Sequence, residues 1–464
     1  MIEMTLAEVA SAVGGEIIYG SDEAKVSGLS TTDSREILQG GIFFAKIGKE
    51  EDGHKYLAAA CAKGAALAIV SSGNTAVDLP QILVKDSVVA LSMLAKHVLD
   101  TIRAAGEIKV IGITGSNGKT STKNMLRDIL SQVGPTVAPQ GSYNNLVGLP
   151  TTVLKADYST KFLVLEYGAA GRGSISALAA WTKPDVSTVL KVGLAHAGVF
   201  GGIEETAAIK AELVEHTTEH VVLNFDDPIV SDFRPAPGVA VSGFGFDSQA
   251  STRIMATEIS LAGTEITLNT TSASGLILTL KIIGEHQALN AAAALQICSV
   301  LGIDTRICFE ALEKMEFAER WRMQLLENPT GYSVINDAYN ASPDSMRAAL
   351  QTLAVIGRSG HRTVAVLGYM AELGEISDQE HQSIGLLVVR YNIDKLFVVG
   401  QDAKLIHMSA TAEGSWDGES EFYGSAEEAF EEIGGKLRMG DVVLVKASNA
   451  SGLRFLGDKL AGVA

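Results

Sequence analysis

The sequence predicts an α/β protein of three domains: a central P-loop-type doubly wound sheet, flanked by a smaller N-terminal α/β domain and a Rossmann-like C-terminal α/β domain. Three observations lead there. Short apolar runs alternate with helical patterns along the whole chain, as parallel sheets with crossover helices require. One such run, "IKVIGITG" from Ile108, opens directly into "SNGKT" and a helix. The alternation then starts afresh after about residue 324. A chain of 464 residues exceeds what one ordinary core organises. Apolar content of 47%, 20% charged residues and 47 glycines describe a turn-rich globular protein and not a disordered one.

Residues 1–107 carry short strands and helices, among them "GGIFFAK" and the Ala-rich "YLAAACAKGAALAIV". Residues 108–323 form the expected central domain. "IKVIGITG" is an apolar run stopped by glycine, and "KTSTKNMLRDILSQV" places Met125, Leu126, Ile129, Leu130 and Val133 on one helical stripe. "KFLVLE", "DVSTVLKV" and "HVVLNF" supply further buried strands. "TEITLNTT" and "LILTLKII", within residues 251–283, alternate with period two and predict antiparallel strands at that domain's rim. His286 to Ile303, "HQALNAAAALQICSVLGI", lacks Asp, Glu, Lys and Arg, yet its His, Gln and Asn make it a buried helix and not a membrane span. In residues 324–464, "SVIND", "TVAVLG", "KLFVVG" and "DVVLVKAS" are the strands of the third domain.

Charge and cysteines narrow the function. A net charge of −17 argues against nucleic acid or an anionic membrane as partner, while one local basic loop can still hold a phosphorylated small molecule. Cys61, Cys298 and Cys308 have no CxxC spacing and read as reduced thiols. The start "MIEMTLAEVA" carries acids and no basic segment ahead of an apolar core, so no signal peptide is expected and the location is expected to be cytoplasmic.

The chemistry gathers around "GITGSNGKTSTKNML", residues 112–126. Strand, glycine-rich turn and helix in that order direct backbone N–H groups and a positive helix end at an anion. Gly115 and Gly118 let the chain curl close to phosphate oxygens, with Ser116, Asn117 and Ser121 in the same cradle. Lys119 is expected to reach the outer phosphates and the Thr120 hydroxyl to ligate Mg²⁺. Ile113 occupies the position where the strict P-loop pattern has glycine, so this is a variant loop. "TKPD", Thr182–Asp185, is the nearest match to a guanine-reading motif, but it precedes a strand and reads as a helix-to-strand turn, which weakens a GTPase switch. Glu166 ends "FLVLE", where a doubly wound sheet presents residues to its crevice; it fits either a Mg²⁺-holding carboxylate or a surface glutamate. His196 follows another strand and alone is more often structural. Lys210, in "EETAAIKAELVEH", reads by itself as a solvated helix lysine.

"TGSNGKT", "EYGAAG", "GLAHAG", "IKAEL", "LNFDDP", "GEHQALNAAAAL", "WRMQL", "INDAYNASPDSM", "GYMAELGE" and "VVLVKAS" follow one another across essentially the whole chain. Together they resemble the Mur ligases, ATP-dependent amide-forming enzymes of peptidoglycan synthesis. "DAYNASPDSM" resembles the "D-x-YNANP-x-SM" of the members that act on UDP-N-acetylmuramoyl-tripeptide and D-alanyl-D-alanine, and the "DNPR" signature of the members adding the third stem residue is absent. "STTDSREILQGGIFFAKIGKEEDGH" resembles the domain holding the UDP-sugar.

The resemblance implies ATP, two Mg²⁺ ions and a Lys210 carbamylated by CO₂. An ammonium has no lone pair for a metal, whereas a carbamate offers oxygens to a hard cation. Glu166, the carbamate and the triphosphate repel one another, by roughly 1 kcal/mol per contact near 4 Å in water and about 4 at an effective dielectric of 20. Two cations offset that, with Thr120 and Glu166 on one and Glu166, His196 and the carbamate at the other. Lys119, His196 and Lys210 are thus the expected catalytic set. Asp337 and Asn340 match positions contacting ribose and adenine, although "DAYN" also suits a plain turn. Arg322, with Arg320 close by, matches an interdomain arginine near the phosphates, and Asn290 belongs to the nucleotide-binding helix start. Asn144 and Asn145 match the loop contacting the sugar substrate, and Ser34 and Arg35 the UDP-sugar domain. Gln287, Ser342 and Lys191 stand where the family usually has Asn, and Asn449 where it has Arg.

The expected reaction activates the tripeptide's terminal carboxylate as an acyl phosphate, which the dipeptide's amine attacks, in a protein expected to be monomeric. The alternatives are another amide ligase of the superfamily, such as a different Mur ligase or a folylpolyglutamate synthase, a non-catalytic homologue, which the Asn449 departure keeps open, and, from another class, a nucleotide-gated switch or motor.

Overall fold

A computed structural model describes residues 1–195, 197–316 and 319–463. Three sheets organise it. The N-terminal sheet has five strands in the order Glu16–Tyr19, Gln81–Leu83, Leu67–Val70, Ile42–Phe44, Ser30–Thr31, parallel except at the first pair. Its first helix, Leu6–Val13, starts where it does because Thr5 accepts from the Glu8 N–H at 3.2 Å while the Glu8 carboxylate accepts from the Thr5 N–H at 2.7 Å.

The central sheet has nine strands. Lys109–Thr114 sits between Phe162–Glu166 on one side and Val186–Val189 on the other, with His220–Asn224 and Ala240–Gly245 continuing in parallel. The chain therefore leaves the first strand, crosses to one neighbour and then to the other, so a crevice opens at the carboxyl ends of these three strands. Thr252–Ser260, Gly263–Asn269 and Leu276–Leu280 form the antiparallel rim expected from their period-two pattern. Helices Lys119–Ser131 and Glu285–Val300 cover one face; the second carries the charge-free segment and buries Ala291, Ala292, Ala293 and Ala294 against the sheet. Thr182 ends a helix, Lys183 turns through φ +42°, and the strand resumes at Val186, so "TKPD" is the turn it was expected to be.

The third sheet has six strands in the order Gln324–Glu327, Ser333–Asn336, Val442–Lys446, Thr363–Leu367, Lys395–Val399, Glu419–Tyr423, parallel except at the first pair. The α/β class and the three-sheet architecture thus agree with the sequence. The long helix Ser87–Ala105 packs its apolar face into a core that also contains Leu149, Val153 and Leu163, so the first two sheets share buried contacts. Among the described residues no helix is long and apolar enough to cross a membrane.

Candidate active site

The crevice of the central sheet is lined by Ser116, Asn117, Gly118, Lys119, Thr120 and Ser121, forming a cavity of about 260 Å³. Gly115 (φ +149°) and Gly118 (φ +85°) hold conformations that other residues adopt only with strain. A Cβ on Gly118 would lie 2.3 Å from Oδ1 of Asn290, so the loop is packed directly on the helix carrying that residue. Asn290 itself is steadied by donating to Gln287 Oε1 at 3.0 Å. Lys119 donates to the Gly115 carbonyl at 2.7 Å, folded back over the loop, and desolvation holds its pKa below the usual lysine value.

Thr120 and Glu166 meet at the floor of this cavity. The Thr120 hydroxyl donates to Glu166 Oε2 at 3.0 Å, and Asn144 Nδ2 donates to Oε1 at 2.8 Å. Glu166 is 1% exposed, so it is not the surface glutamate its sequence position also allowed. Lys210 is 3% exposed, which overturns the solvated-helix reading of "AAIKAEL". Its helix, Ile203–Glu215, is drawn inward because Glu212 accepts from the Gly173, Ile175 and Ser176 N–H groups at 2.6, 3.1 and 2.8 Å. Desolvation, and then the Lys119 charge, push the Lys210 pKa down to about 7, against the opposite pull of Glu166 and Glu212. His196 lies outside the described residues.

The opposite wall belongs to the third sheet. Asp337 and Asn340 line the same cavity, as does Arg322, whose guanidinium stacks 4.4 Å from the Tyr339 ring centroid and whose Nε has no hydrogen-bond partner among the described residues. Lys446, 2% exposed, is paired with Asp337 Oδ2 at 2.5 Å and donates to the Asn340 carbonyl at 3.1 Å. Polar contacts cross from this wall to the central sheet, among them Leu194 N–H donating to Asp344 Oδ2 at 3.1 Å. Lys191 Nζ lies 3.4 Å from Asp344, Ser342 Oγ donates to Asn117 Oδ1 at 3.3 Å, and the Ser142 and Tyr339 hydroxyls lie 2.9 Å apart. Lys446, Tyr339, Asp344 and His286 line the cleft although sequence reasoning gave them no role. The available signal was position: Lys446 ends a parallel strand of the third sheet, as Glu166 ends one of the central sheet.

A second cavity, of about 630 Å³, opens between the first two sheets and is lined by Asp33, Glu36, Lys46, Tyr143, Asn144 and Asn145 with their neighbours. Asn144 lines both cavities. Asn145 also lines this one, but its Oδ1 accepts from the Val147 and Gly148 N–H groups and holds the next turn. Ser34 and Arg35 are not on the wall. Ser34 is buried in the turn, and Arg35 points outward to pair with Asp33 at 2.6 Å. A third cavity, of about 250 Å³, shares Tyr339, Asn340 and Ser342 with the nucleotide cleft and adds Glu372, Ser448 and Asn449. Asn449 accepts from Arg454, so a guanidinium stands beside the position that the family fills with arginine.

Among the described residues no group of three or more His, Cys, Asp or Glu is placed to hold a metal. The donors present nevertheless suit Mg²⁺, which takes one or two protein oxygens and completes its octahedron with phosphates and water. Thr120 and Glu166 are such a pair. A phosphate loop thus faces the Lys446–Asp337 ion pair of another α/β unit across one cleft.

Comparison with known proteins makes the family plain. Residues 113–298 match the Mur ligase middle domain, and residues 321–449 match the Mur ligase, glutamate ligase domain. A UDP-N-acetylmuramoyl-tripeptide–D-alanyl-D-alanine ligase of Mycobacterium tuberculosis is 39% identical, covering 99% of this chain and 98% of the relative. A Bacillus subtilis protein of the same name is 30% identical over 97% and 96% of the two chains. The crystal structure of MurF from Acinetobacter baumannii superposes with a TM-score of 0.88 at 27% identity, covering 100% and 99%. MurF ligase from Thermotoga maritima in complex with ADP gives 0.81 at 27% identity, covering 94% and 98%. The chain belongs to the Mur ligase family, and it is an ATP-dependent amide-bond-forming ligase.

Proposed function

We propose that this chain joins D-alanyl-D-alanine to UDP-N-acetylmuramoyl-tripeptide with hydrolysis of ATP to ADP and phosphate, acting in the cytoplasm as a monomer. The observation that carries the reading is Asn144, which lines the large cavity between the first two sheets and at the same time holds Glu166 in the phosphate-loop crevice. An acceptor lying in the large cavity would bring its carboxylate to the terminal phosphoryl group there. Residues 1–107 would hold the UDP-sugar, 108–323 the triphosphate, and 324–464 the adenosine and the incoming dipeptide.

A carboxylate resists amine attack because the attack adds charge to an anion. In the proposed path, a carboxylate oxygen of the acceptor attacks the γ-phosphorus and the bond to the bridging oxygen of ADP breaks. The dipeptide nitrogen then attacks the acyl carbon, the C–O bond to phosphate breaks, and the nitrogen loses its proton. Lys119, freed from the Gly115 carbonyl, would follow the charge building on the transferred group. Arg322, from its seat on Tyr339, would approach the same oxygens from the other wall. Thr120 and Glu166 would hold a Mg²⁺ ion, which when bound would neutralise charge on the phosphate oxygens. Burial of Lys210 favours the neutral amine that reaction with CO₂ requires, and its carbamate, with Glu166 and His196, would hold a second Mg²⁺. The dipeptide would take the third cavity, with Glu372 near its amine and Asn449, beside Arg454, toward its carboxylate. The test is ADP formation with UDP-N-acetylmuramoyl-tripeptide, with and without D-alanyl-D-alanine. Turnover should require both, and ADP release indifferent to the acceptor would overturn the reading.

A further inference from the structure

Lys123 is fully buried in the helix that follows the phosphate loop, three residues beyond Thr120. It lines none of the cavities just described, and the reaction outlined above makes no use of it. Its Nζ donates to the carbonyls of Pro139 at 2.8 Å and Gly141 at 2.9 Å. Burying an ammonium is costly, and an apolar side chain of similar volume would ordinarily serve a helix-to-sheet contact better. Desolvation indeed pushes its pKa down to about 8, with Glu166 and Glu319 pulling the other way.

What that cost achieves is visible in the segment it holds. Gly141 (φ +55°) leads straight into Ser142, Tyr143, Asn144 and Asn145. Ser142 faces the nucleotide cleft, Tyr143 and Asn145 face the acceptor cavity, and Asn144 faces both. Asn144 is fixed at its other end as well, since its carbonyl accepts from Gly168 N–H at 2.8 Å and its Nδ2 donates to Glu166. Thr120 closes the circuit by donating to the same carboxylate. Helix, lysine, loop, Asn144, Glu166 and Thr120 thus form one ring of bonds around the place where the two cavities meet.

We propose that Lys123 is a positioning residue that sets the acceptor-side loop, through Pro139 and Gly141, at a fixed distance from the phosphate-loop helix. The inference rests on the proposed acceptor reading for its kinetic consequence, but not for its structural one. With Lys123→Met the two carbonyls lose their donor while the helix keeps its apolar packing. The expected kinetic result is a KM for UDP-N-acetylmuramoyl-tripeptide raised about tenfold, corresponding to ~1.4 kcal/mol, with the Kd of Mg²⁺-ADP unchanged within about twofold. Lys123→Gln, which can keep one carbonyl bond, should fall between wild type and Lys123→Met.

Hydrogen–deuterium exchange on the same proteins, without any acceptor, gives a readout independent of the substrate. Amides of residues 140–145 should exchange faster in Lys123→Met, while those of the helix Lys119–Ser131 stay as in wild type. Should wild type prove inactive with this acceptor, the proposed substrate fails and the exchange pattern alone decides the role of Lys123. Unchanged exchange in residues 140–145 overturns the proposal, as does a KM increase matched by an equal loss of ADP affinity. Failure of both variants to fold, seen by circular dichroism, would assign Lys123 to folding and overturn it too.

Discussion

The Thr120 hydroxyl donates to Glu166 at 3.0 Å, tying the first turn of the phosphate-loop helix to the end of the adjacent parallel strand. Both side chains are almost entirely withdrawn from water, and both are oxygen donors of the kind Mg²⁺ selects. Replacing Glu166 by Gln keeps its shape and removes its charge. Turnover should drop about 100-fold, the scale on which losing one preorganised charge-stabilising group acts. The Mg²⁺ concentration needed for half-maximal rate should rise. Steady-state ADP release across a Mg²⁺ titration checks this, and an unaltered Mg²⁺ dependence would contradict it.

Lys210 makes a prediction about pH. Its folded-state pKa of about 7 lies below that of an unfolded lysine, near 10.4, so between those values the unfolded chain binds more protons. Stability must therefore rise with pH through that window, and the burial penalty is largest below it. In CO₂-free buffer Lys210→Met should melt above wild type at about pH 7, with the gap narrowing as pH approaches about 10. A gap independent of pH, measured by thermal unfolding, would show that the amine keeps its proton throughout.

Gly118 is sterically fixed. A Cβ there would stand 2.3 Å from Asn290 Oδ1, on a backbone with φ +85°. Strain of this kind costs about 1–3 kcal/mol. Gly118→Ala should weaken Mg²⁺-ADP binding by about tenfold or more, read by titration calorimetry, since every 1.4 kcal/mol is tenfold.

The buried pair of Lys446 and Asp337 predicts an asymmetry. Removing one partner of such a pair costs about 3–5 kcal/mol, because the other charge is stranded. Lys446→Met should lower the melting temperature clearly, and Asp337→Asn in the same chain should restore part of the loss. Additive destabilisation in the double variant would count against a coupled pair.

How far these groups could be read from the chain depended on the range over which they are determined. Strands such as Lys109–Thr114 and Val442–Lys446 declare themselves as apolar runs, and the rim strands Thr252–Ser260 and Gly263–Asn269 as alternating ones, because burial on two faces or one writes directly into residue order. The glycines of the phosphate loop were equally legible, since φ beyond +80° leaves few other residues. Lys210 was not. Its burial follows from Glu212 clasping three N–H groups more than 35 residues earlier in the chain, a contact no helical pattern records. Arg35 is turned outward by its pairing with Asp33, while Asp33 and Glu36 line the cavity, a local arrangement that residue order does not record. The bonds from Lys191 to Asp344 and from Asn117 to Ser342 join residues 150 or more positions apart, and only the folded chain displays them.

Transfer of the terminal phosphoryl group to the acceptor's own carboxylate is the step on which the account turns. It is tested most directly with UDP-N-acetylmuramoyl-tripeptide carrying ¹⁸O in its terminal carboxylate, incubated with ATP, Mg²⁺ and D-alanyl-D-alanine. One ¹⁸O atom should appear in each phosphate released, because the carboxylate oxygen leaves bound to phosphorus. Phosphate free of the label, formed at the rate of amide synthesis, would contradict it.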